Sequence, residues 1–143
     1  MFGQQIGWIN ADIIDDEEKM VYLSRMCQMR YEFKDYFNYG KMLRPPKTRD
    51  FIPTFVTDSA ISFSDVNEAP LILSSCWEND GSIAMLITNC DKKEYTLSYD
   101  APFDSYDEIR YYGQGKVSPV ANSKINITIS PESAIAIIKK AKE

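Results

Sequence analysis

The spacing of apolar residues changes near residue 50, and this change limits the possible folds more than any other feature of the chain. From Asp15 to Tyr39 the apolar positions recur at steps of three and four, which is the periodicity of one helix face. Beyond residue 50, apolar and polar residues alternate in short runs, which is the periodicity of strands. The sequence therefore predicts one long amphipathic helix followed by an all-β region.

The predicted helix has clear signals at both ends. The acidic run DDEE at residues 15–18 can cap the first amides and suits the positive end of the helix dipole. Gly40 is expected to end the helix, and Pro45 and Pro46 prevent its continuation, so KMLRPPKTRDFIP is predicted to be an extended connector. The expected buried stripe consists of Met20, Leu23, Cys27, Arg30, Phe33 and Phe37, with Met26 beside it.

The strongest turn signal in the second part is the NDG run at residues 79–81, which lies between the alternating runs LILSSCWE and SIAMLITN. A two-residue turn there would place Asn79 opposite Ser82 and Cys76 opposite Met85. The sequence therefore predicts a β-hairpin with a defined register.

The three cysteines, Cys27, Cys76 and Cys90, include no CxxC pair. In the predicted hairpin register, Cys76 and Cys90 lie about 17 Å apart along the ladder, which is beyond the reach of a disulfide. The cysteines are therefore expected to be free thiols buried in a core.

Short strand-like runs with turn signals at steady spacing fill the remainder of the chain, which is typical of an antiparallel sandwich or barrel. The run SAIAIIKKAKE could form a helix, but its Ile-Ala-Ile alternation favours a closing strand. We predict a mainly β fold: an antiparallel β-sandwich of about eight strands, preceded by one long amphipathic helix and a short strand. Residues 1–50 would hold that strand, the helix and the Pro-rich connector, and residues 51–143 the sandwich.

Composition excludes several classes of function. A net charge of −5 argues against binding to nucleic acid or to an anionic membrane surface, and no apolar run is long enough to span a bilayer. No histidine is present, so this chain cannot form a Ser-His-Asp triad, a Cys-His pair or a zinc site with histidine ligands. No cofactor or metal is expected. The opening residues lack the features of a signal peptide, and the chain is expected to be soluble, in a compartment that the sequence leaves open.

Four runs of the sequence resemble parts of the proteins of a known family. FGQQIGWIN and the following DDEEKMVYLSRMCQMRYEFKDYFNYGKMLRPP resemble the last β/α unit of the TIM barrel in bacterial glycoside-hydrolase-like proteins. PLILSSCWENDGSIAMLITNCDKKEYTLSY and ISPESAIAIIKK resemble a hairpin and the last strand of the C-terminal β-sandwich that follows this barrel. The resemblance implies an accessory, structural β-sandwich domain whose partner is the missing barrel portion of a parent protein.

This resemblance also bears on catalysis. In such proteins the acid and the nucleophile lie on barrel strands that this chain lacks, so no catalytic residue is assigned and this chain alone is expected not to be an enzyme. Barrel active sites form at the C-terminal ends of the strands, so Trp8 and Asn10 would lie near the sugar pocket of a complete parent.

Two other functions remain open. A carbohydrate-binding module could stack sugar rings on a platform of Tyr111 and Tyr112, although packing explains the same residues. A free-standing protein could instead self-associate through the apolar helix face, giving a homodimer. The acidic loop DAPFDSYDEIRYYG is interpreted as a solvated loop, with calcium binding as the alternative.

Overall fold

A computed structural model describes residues 15–56 and 68–142. Within these residues the chain forms two helices and ten strands, so the predicted mainly β class is confirmed. The helices are α1 (Glu17–Glu32) and α2 (Lys34–Asn38). The strands are β1 (Lys41–Leu43), β2 (Thr54–Val56), β3 (Glu68–Pro70), β4 (Ile72–Asn79), β5 (Ser82–Asn89), β6 (Tyr95–Asp100), β7 (Glu108–Tyr112), β8 (Gly115–Val117), β9 (Lys124–Ile129) and β10 (Ser133–Lys139).

The strands form three antiparallel sheets among the described residues. The largest has five strands in the order β1-β4-β5-β10-β7, and the second has three in the order β6-β9-β8. Strands β2 and β3 form a separate pair. The run SAIAIIK at Ser133–Lys139 is a strand, as its alternation predicts, and it lies in the interior of the five-stranded sheet.

The predicted hairpin is confirmed residue by residue. Asn79 lies opposite Ser82 and Cys76 lies opposite Met85. Asp80 has φ 47° and Gly81 has φ 75°, so both turn residues are in the left-handed region that a two-residue hairpin favours. The amide of Cys90 extends the same register by donating to the carbonyl of Leu71 at 2.8 Å. All three cysteines are free, and Cys76 is buried.

The two larger sheets face each other across one apolar core, which makes the fold a β-sandwich. The five-stranded sheet is buried on its other face as well, because the helices cover it. This second core includes Met26, Met29 and Phe33 from the helical segment together with Trp77, Ala84, Leu86, Tyr112, Ala134, Ala136 and Ile138 from the sheet. The described part of the chain therefore forms three layers: helix, five-stranded sheet and three-stranded sheet.

The helix differs from the prediction in its length and in its buried face. Asp16 caps α1 as expected, since its Oδ1 accepts from the amide of Lys19 at 3.1 Å. The predicted single helix is interrupted at Phe33, whose φ of −102° and ψ of 17° depart from helical values. Met26 and Met29 face the sheet, whereas Cys27 is exposed, so the predicted burial of this cysteine is wrong.

The connector is extended, as predicted, and it links both sheets of the sandwich. Strand β1 pairs with β4 at one edge of the five-stranded sheet. Farther along, Thr48 bridges to Tyr99, and the amide of Asp100 donates to the carbonyl of Lys47 at 2.7 Å. Part of the predicted 1–50 segment therefore pairs directly with strands of the 51–143 segment.

Two predicted strands lie outside the described residues: the opening strand FGQQIGWIN and the run AISFSDV. Among the described residues, neither helix is long and apolar enough to cross a membrane.

Candidate functional site

The sequence-predicted site residues fall in different places. Trp8 and Asn10 lie outside the described residues. Tyr111 and Tyr112 are neighbours on β7, so their side chains point to opposite faces of the sheet. Tyr112 is only 4% exposed and packs in the core beneath the helices, whereas Tyr111 is 44% exposed. The structure therefore does not bring the two rings together on one platform.

Tyr112 instead belongs to a polar network between α1 and β7. Its hydroxyl donates to Oε2 of Glu32 at 2.6 Å. Nη1 of Arg110 lies 3.2 Å from the same oxygen, and Nε of Arg110 donates to Oε1 of Glu108 at 2.6 Å. Gln28, one turn before Glu32, donates to its Oε1 at 3.0 Å. The network joins the helix to the edge strand of the five-stranded sheet.

Local sequence explains how this network forms. Glu108, Arg110 and Tyr112 are spaced two residues apart on one strand and therefore share a face of the sheet. The guanidinium of Arg110 also lies 5.5 Å from the ring centroid of Phe33, which adds a cation–π contact to the ion pairs. The two-residue spacing in EIRYY could have revealed this set, but nothing in the sequence links it to Glu32.

The electrostatics of the network keep both carboxylates ionised. The hydrogen bond from Tyr112 is the main cause that lowers the pKa of Glu32, and the hydrogen bond from Arg110 is the main cause that lowers the pKa of Glu108. Burial, followed by the hydrogen bond to Glu32, raises the pKa of the Tyr112 phenol. Glycoside hydrolysis requires a carboxylic acid with a raised pKa beside a second carboxylate, so these charges favour a structural link.

Three of the four carboxylates in the loop around residues 100–108 form ion pairs: Asp100, Asp107 and Glu108. Asp100 pairs with Lys124, and Asp107 pairs with Lys139 at 3.1 Å. Oδ2 of Asp107 accepts from the amide of Lys140 at 2.8 Å. The described residues contain no group of three or more acidic or cysteine side chains placed to hold a metal ion. The ion pairs of Asp100 and Asp107 are the contacts expected of a solvated loop.

A second feature is the face of α1 that points away from the sheet. This outward stripe consists of Met20, Leu23, Cys27 and Tyr31, which follow each other at steps of three and four. Tyr31 is 70% exposed, and Met20 and Cys27 are exposed as well. Met20 and Cys27, two of the positions that the sequence predicted to be buried, therefore remain uncovered by the described residues, whereas Met26 and Phe33 are buried.

A shallow groove of about 480 Å³ lies beside the N-terminal half of α1. Its two cations are already engaged: Lys92 pairs with Glu18 at 2.9 Å, and Nη1 of Arg25 donates to the carbonyl of Glu132 at 2.9 Å. Glu17, Glu18 and Glu132 also line the groove, so its acidic side chains outnumber its two cations.

Comparison with known proteins shows similarity to solved structures only, and this similarity is one of fold. The chain matches no protein-family model and has no significant match among curated proteins. Among solved structures it is similar to the alpha-amylase of Anoxybacillus, with a TM-score of 0.50 and 13% identity over 90% of this chain and 24% of the other. It is also similar to the alpha-amylase of H. orenii, with a TM-score of 0.49 and 15% identity over 89% of this chain and 22% of that one.

A partial similarity extends to a glycoside hydrolase family 30 subfamily 8 xylanase from Clostridium acetobutylicum, with a TM-score of 0.39 and 10% identity over 48% of this chain and 20% of the xylanase. This chain thus spans less than a quarter of the length of each of these three proteins. At 13% identity, the similarity to the Anoxybacillus alpha-amylase is one of fold.

Proposed function

We propose that this chain is an accessory, non-catalytic β-sandwich domain of a glycoside-hydrolase-like protein. The observation that carries the proposal is the match to the Anoxybacillus alpha-amylase, which covers 90% of this chain but only 24% of the amylase. A fold that accounts for nearly all of one chain and a small part of the other is expected of a domain within a longer protein.

The outward stripe supports this proposal because it offers a surface for the missing portion. Apolar helix positions gain free energy when another surface removes them from water, and the described residues leave Met20, Cys27 and Tyr31 exposed. We propose that the barrel portion of the parent covers this stripe. The lowered pKa values of Glu32 and Glu108 make either residue unsuited to act as the general acid of glycoside hydrolysis.

Two measurements test the proposal. The isolated chain should not release reducing sugar from starch or xylan above the level of a Glu32→Gln/Glu108→Gln double variant. In the protein encoded by the complete reading frame, a maleimide should label Cys27 much more slowly than in the isolated chain, while labelling of the half-buried Cys90 serves as the internal control. Hydrolysis that depends on the two glutamates, or equal labelling of Cys27 in both proteins, would contradict it.

Self-association through the same stripe is the second candidate, because a second copy could also cover it. Analytical ultracentrifugation of the isolated chain should then show a dimer, and Tyr31→Glu should convert it to a monomer. A monomer at all concentrations would rule this candidate out and leave the barrel portion as the occupant.

A carbohydrate-binding module remains a third candidate, supported by the exposed ring of Tyr111. Calorimetry with neutral oligosaccharides should then show binding that Tyr111→Ala abolishes. Tyr31→Ala is the matched control, since it removes another exposed tyrosine from a different layer. Equal loss of binding in both variants, or no binding, would reject the Tyr111 site.

A further inference from the structure

The extended connector forms a basic strip along one edge of the sandwich. This basic strap comprises residues 39–51, and its cations are Lys41, Arg44, Lys47 and Arg49. All four side chains are exposed, and none forms an ion pair with another described residue. The chain as a whole has a net charge of −5, so the strap is a local cluster of positive charge on an acidic protein.

Exposed aromatic rings flank these cations. Tyr39 is 80% exposed at the start of the strap, and Phe51 is 84% exposed at its end. Between them the chain is held extended by β1 at one sheet and by the bridge from Thr48 to Tyr99 at the other. From Lys41 to Arg49 an extended chain spans about 26 Å. The strap is therefore long enough to contact several units of a polymer.

The surface beside the strap is polar and rich in hydrogen-bonding groups. The bridge at Thr48 places Arg49 opposite Ser98 on β6, and Ser98 in turn pairs with the exposed Asn126 on β9. The carboxylates near these cations are Glu78, which lies opposite Lys41 on β4, Asp50, which accepts from the amide of Ser98, and Asp100, whose pKa is lowered mainly by Lys124 and further by Arg49 and Lys47. Asp100 is already paired with Lys124, so Lys47 and Arg49 keep donors available.

We propose that the basic strap binds an extended polyuronate, a polysaccharide that carries a carboxylate on its sugar rings. Arginine and lysine donate charge-assisted hydrogen bonds to carboxylates, aromatic rings pack against the faces of sugar rings, and Ser98 and Asn126 can bond sugar hydroxyls. The surface itself indicates an extended anionic ligand; the choice of a glycan over another polyanion rests on the proposed function.

The test is binding of the isolated chain to polygalacturonate at low salt, measured by biolayer interferometry. The variant Arg44→Gln/Lys47→Gln/Arg49→Gln should bind about tenfold more weakly, since three exposed charge contacts are removed. The control Lys19→Gln/Lys93→Gln/Lys142→Gln changes the net charge equally at exposed sites away from the strap and should stay within about twofold. Circular dichroism checks that both variants are folded.

Two further comparisons identify the ligand chemistry. Phe51→Ala and Asn126→Ala should weaken polygalacturonate binding, whereas Tyr31→Ala should not. Neutral starch and xylan should not compete. Equal weakening by the two charge variants, absence of binding by the original chain, or equal competition by neutral glycans would overturn the inference.

Equal competition by dextran sulfate or single-stranded DNA, with no effect of Asn126→Ala, would assign the strap to polyanions in general and overturn the polyuronate proposal. None of these outcomes depends on the barrel portion, so they are separate from the hydrolysis and labelling tests of the accessory-domain proposal.

Discussion

The hydroxyl of Tyr112 donates a 2.6 Å hydrogen bond to Glu32, and this contact joins α1 to β7 across 80 residues of chain. Because Tyr112 is buried, its hydroxyl is shielded from water, and its partner is an ionised carboxylate. A hydrogen bond to a charged group contributes more to stability than a neutral one. The contact therefore accounts for part of the free energy that holds the helix on the sheet.

The first prediction follows from this contact. Tyr112→Phe should lower the free energy of unfolding by about 1.5 kcal/mol, because it removes a donor from a charged acceptor while preserving the packing of the ring. Urea denaturation measures the change. The matched control is Tyr111→Phe on the same strand, whose exposed hydroxyl should change stability by less than about 0.5 kcal/mol. Equal effects of the two substitutions would contradict the assigned role of Tyr112.

The second prediction concerns pH. The pKa of Glu32 is lowered from its usual 4.5 in the folded chain, so its contribution to stability is fully present above pH 4.5. That contribution is lost as the pH falls through the lower folded-state pKa. Glu32→Gln should therefore be less stable than the original chain at neutral pH, and the difference should shrink in acid. A difference that stays constant from pH 7 to pH 3 would refute this linkage.

The third prediction is a substitution that stabilises the chain. Tyr99 is buried in the sandwich core, and its hydroxyl has no hydrogen-bond partner among the described residues. Burial raises the pKa of this phenol to about 12. Tyr99→Phe removes a desolvated polar group, so it should raise the free energy of unfolding by about 1 kcal/mol. A loss of stability comparable to that of Tyr112→Phe would show that the Tyr99 hydroxyl is satisfied in solution.

The fourth prediction concerns the close approach of the helical segment to the sheet at Gly40. A Cβ atom there would lie 2.5 Å from the carbonyl oxygen of Tyr36 and 2.7 Å from that of Glu78, and both are backbone atoms. Gly40→Ala should therefore destabilise the chain by about 2 kcal/mol, because the helix end must move away from β4. Asn38→Ala, an exposed substitution two residues earlier, is the control in the same thermal unfolding experiment. An unchanged melting temperature for Gly40→Ala would contradict the packing.

The fifth prediction distinguishes two of the thiols, Cys27 and Cys76, by their reactivity. Cys27 should react rapidly with a maleimide because it is exposed, and Cys76 should be protected because it is buried and its pKa is raised to about 11 by that burial. Peptide mapping by mass spectrometry measures each rate. Labelling of Cys76 should accelerate in urea in parallel with global unfolding. Rapid labelling of Cys76 in native buffer would show that β4 opens locally.

The sequence was sufficient where local chemistry decides the structure. The two-residue turn at Asp80-Gly81 fixed the hairpin register correctly, because only a few residues tolerate left-handed backbone and the pairing of both strands follows from the turn. The acidic cap at Asp16 was equally local. The closing strand was recognisable since its alternation has the period of a sheet.

The sequence was insufficient to predict which face of α1 packs against the five-stranded sheet. Helix α1 carries apolar residues on opposite faces, and periodicity alone could not tell whether Cys27 or Met29 meets the sheet. The choice depends on β4, β5 and β10, which bury both of their faces and so receive a second layer. The network of Glu32 with Tyr112 was missed for a related reason: its members are distant in sequence, and only tertiary packing brings them together.

The interior position of β10 in the five-stranded sheet has a consequence for biosynthesis. Strands β5 and β7 both pair with β10 and not with each other, so the sheet lacks its middle until residues 133–139 leave the ribosome. Until then the edges of β5 and β7 that pair with β10 are unpaired and can associate with other polypeptides. A product truncated before Ser133 should consequently be degraded by cellular proteases, even though its preceding hairpin can still form.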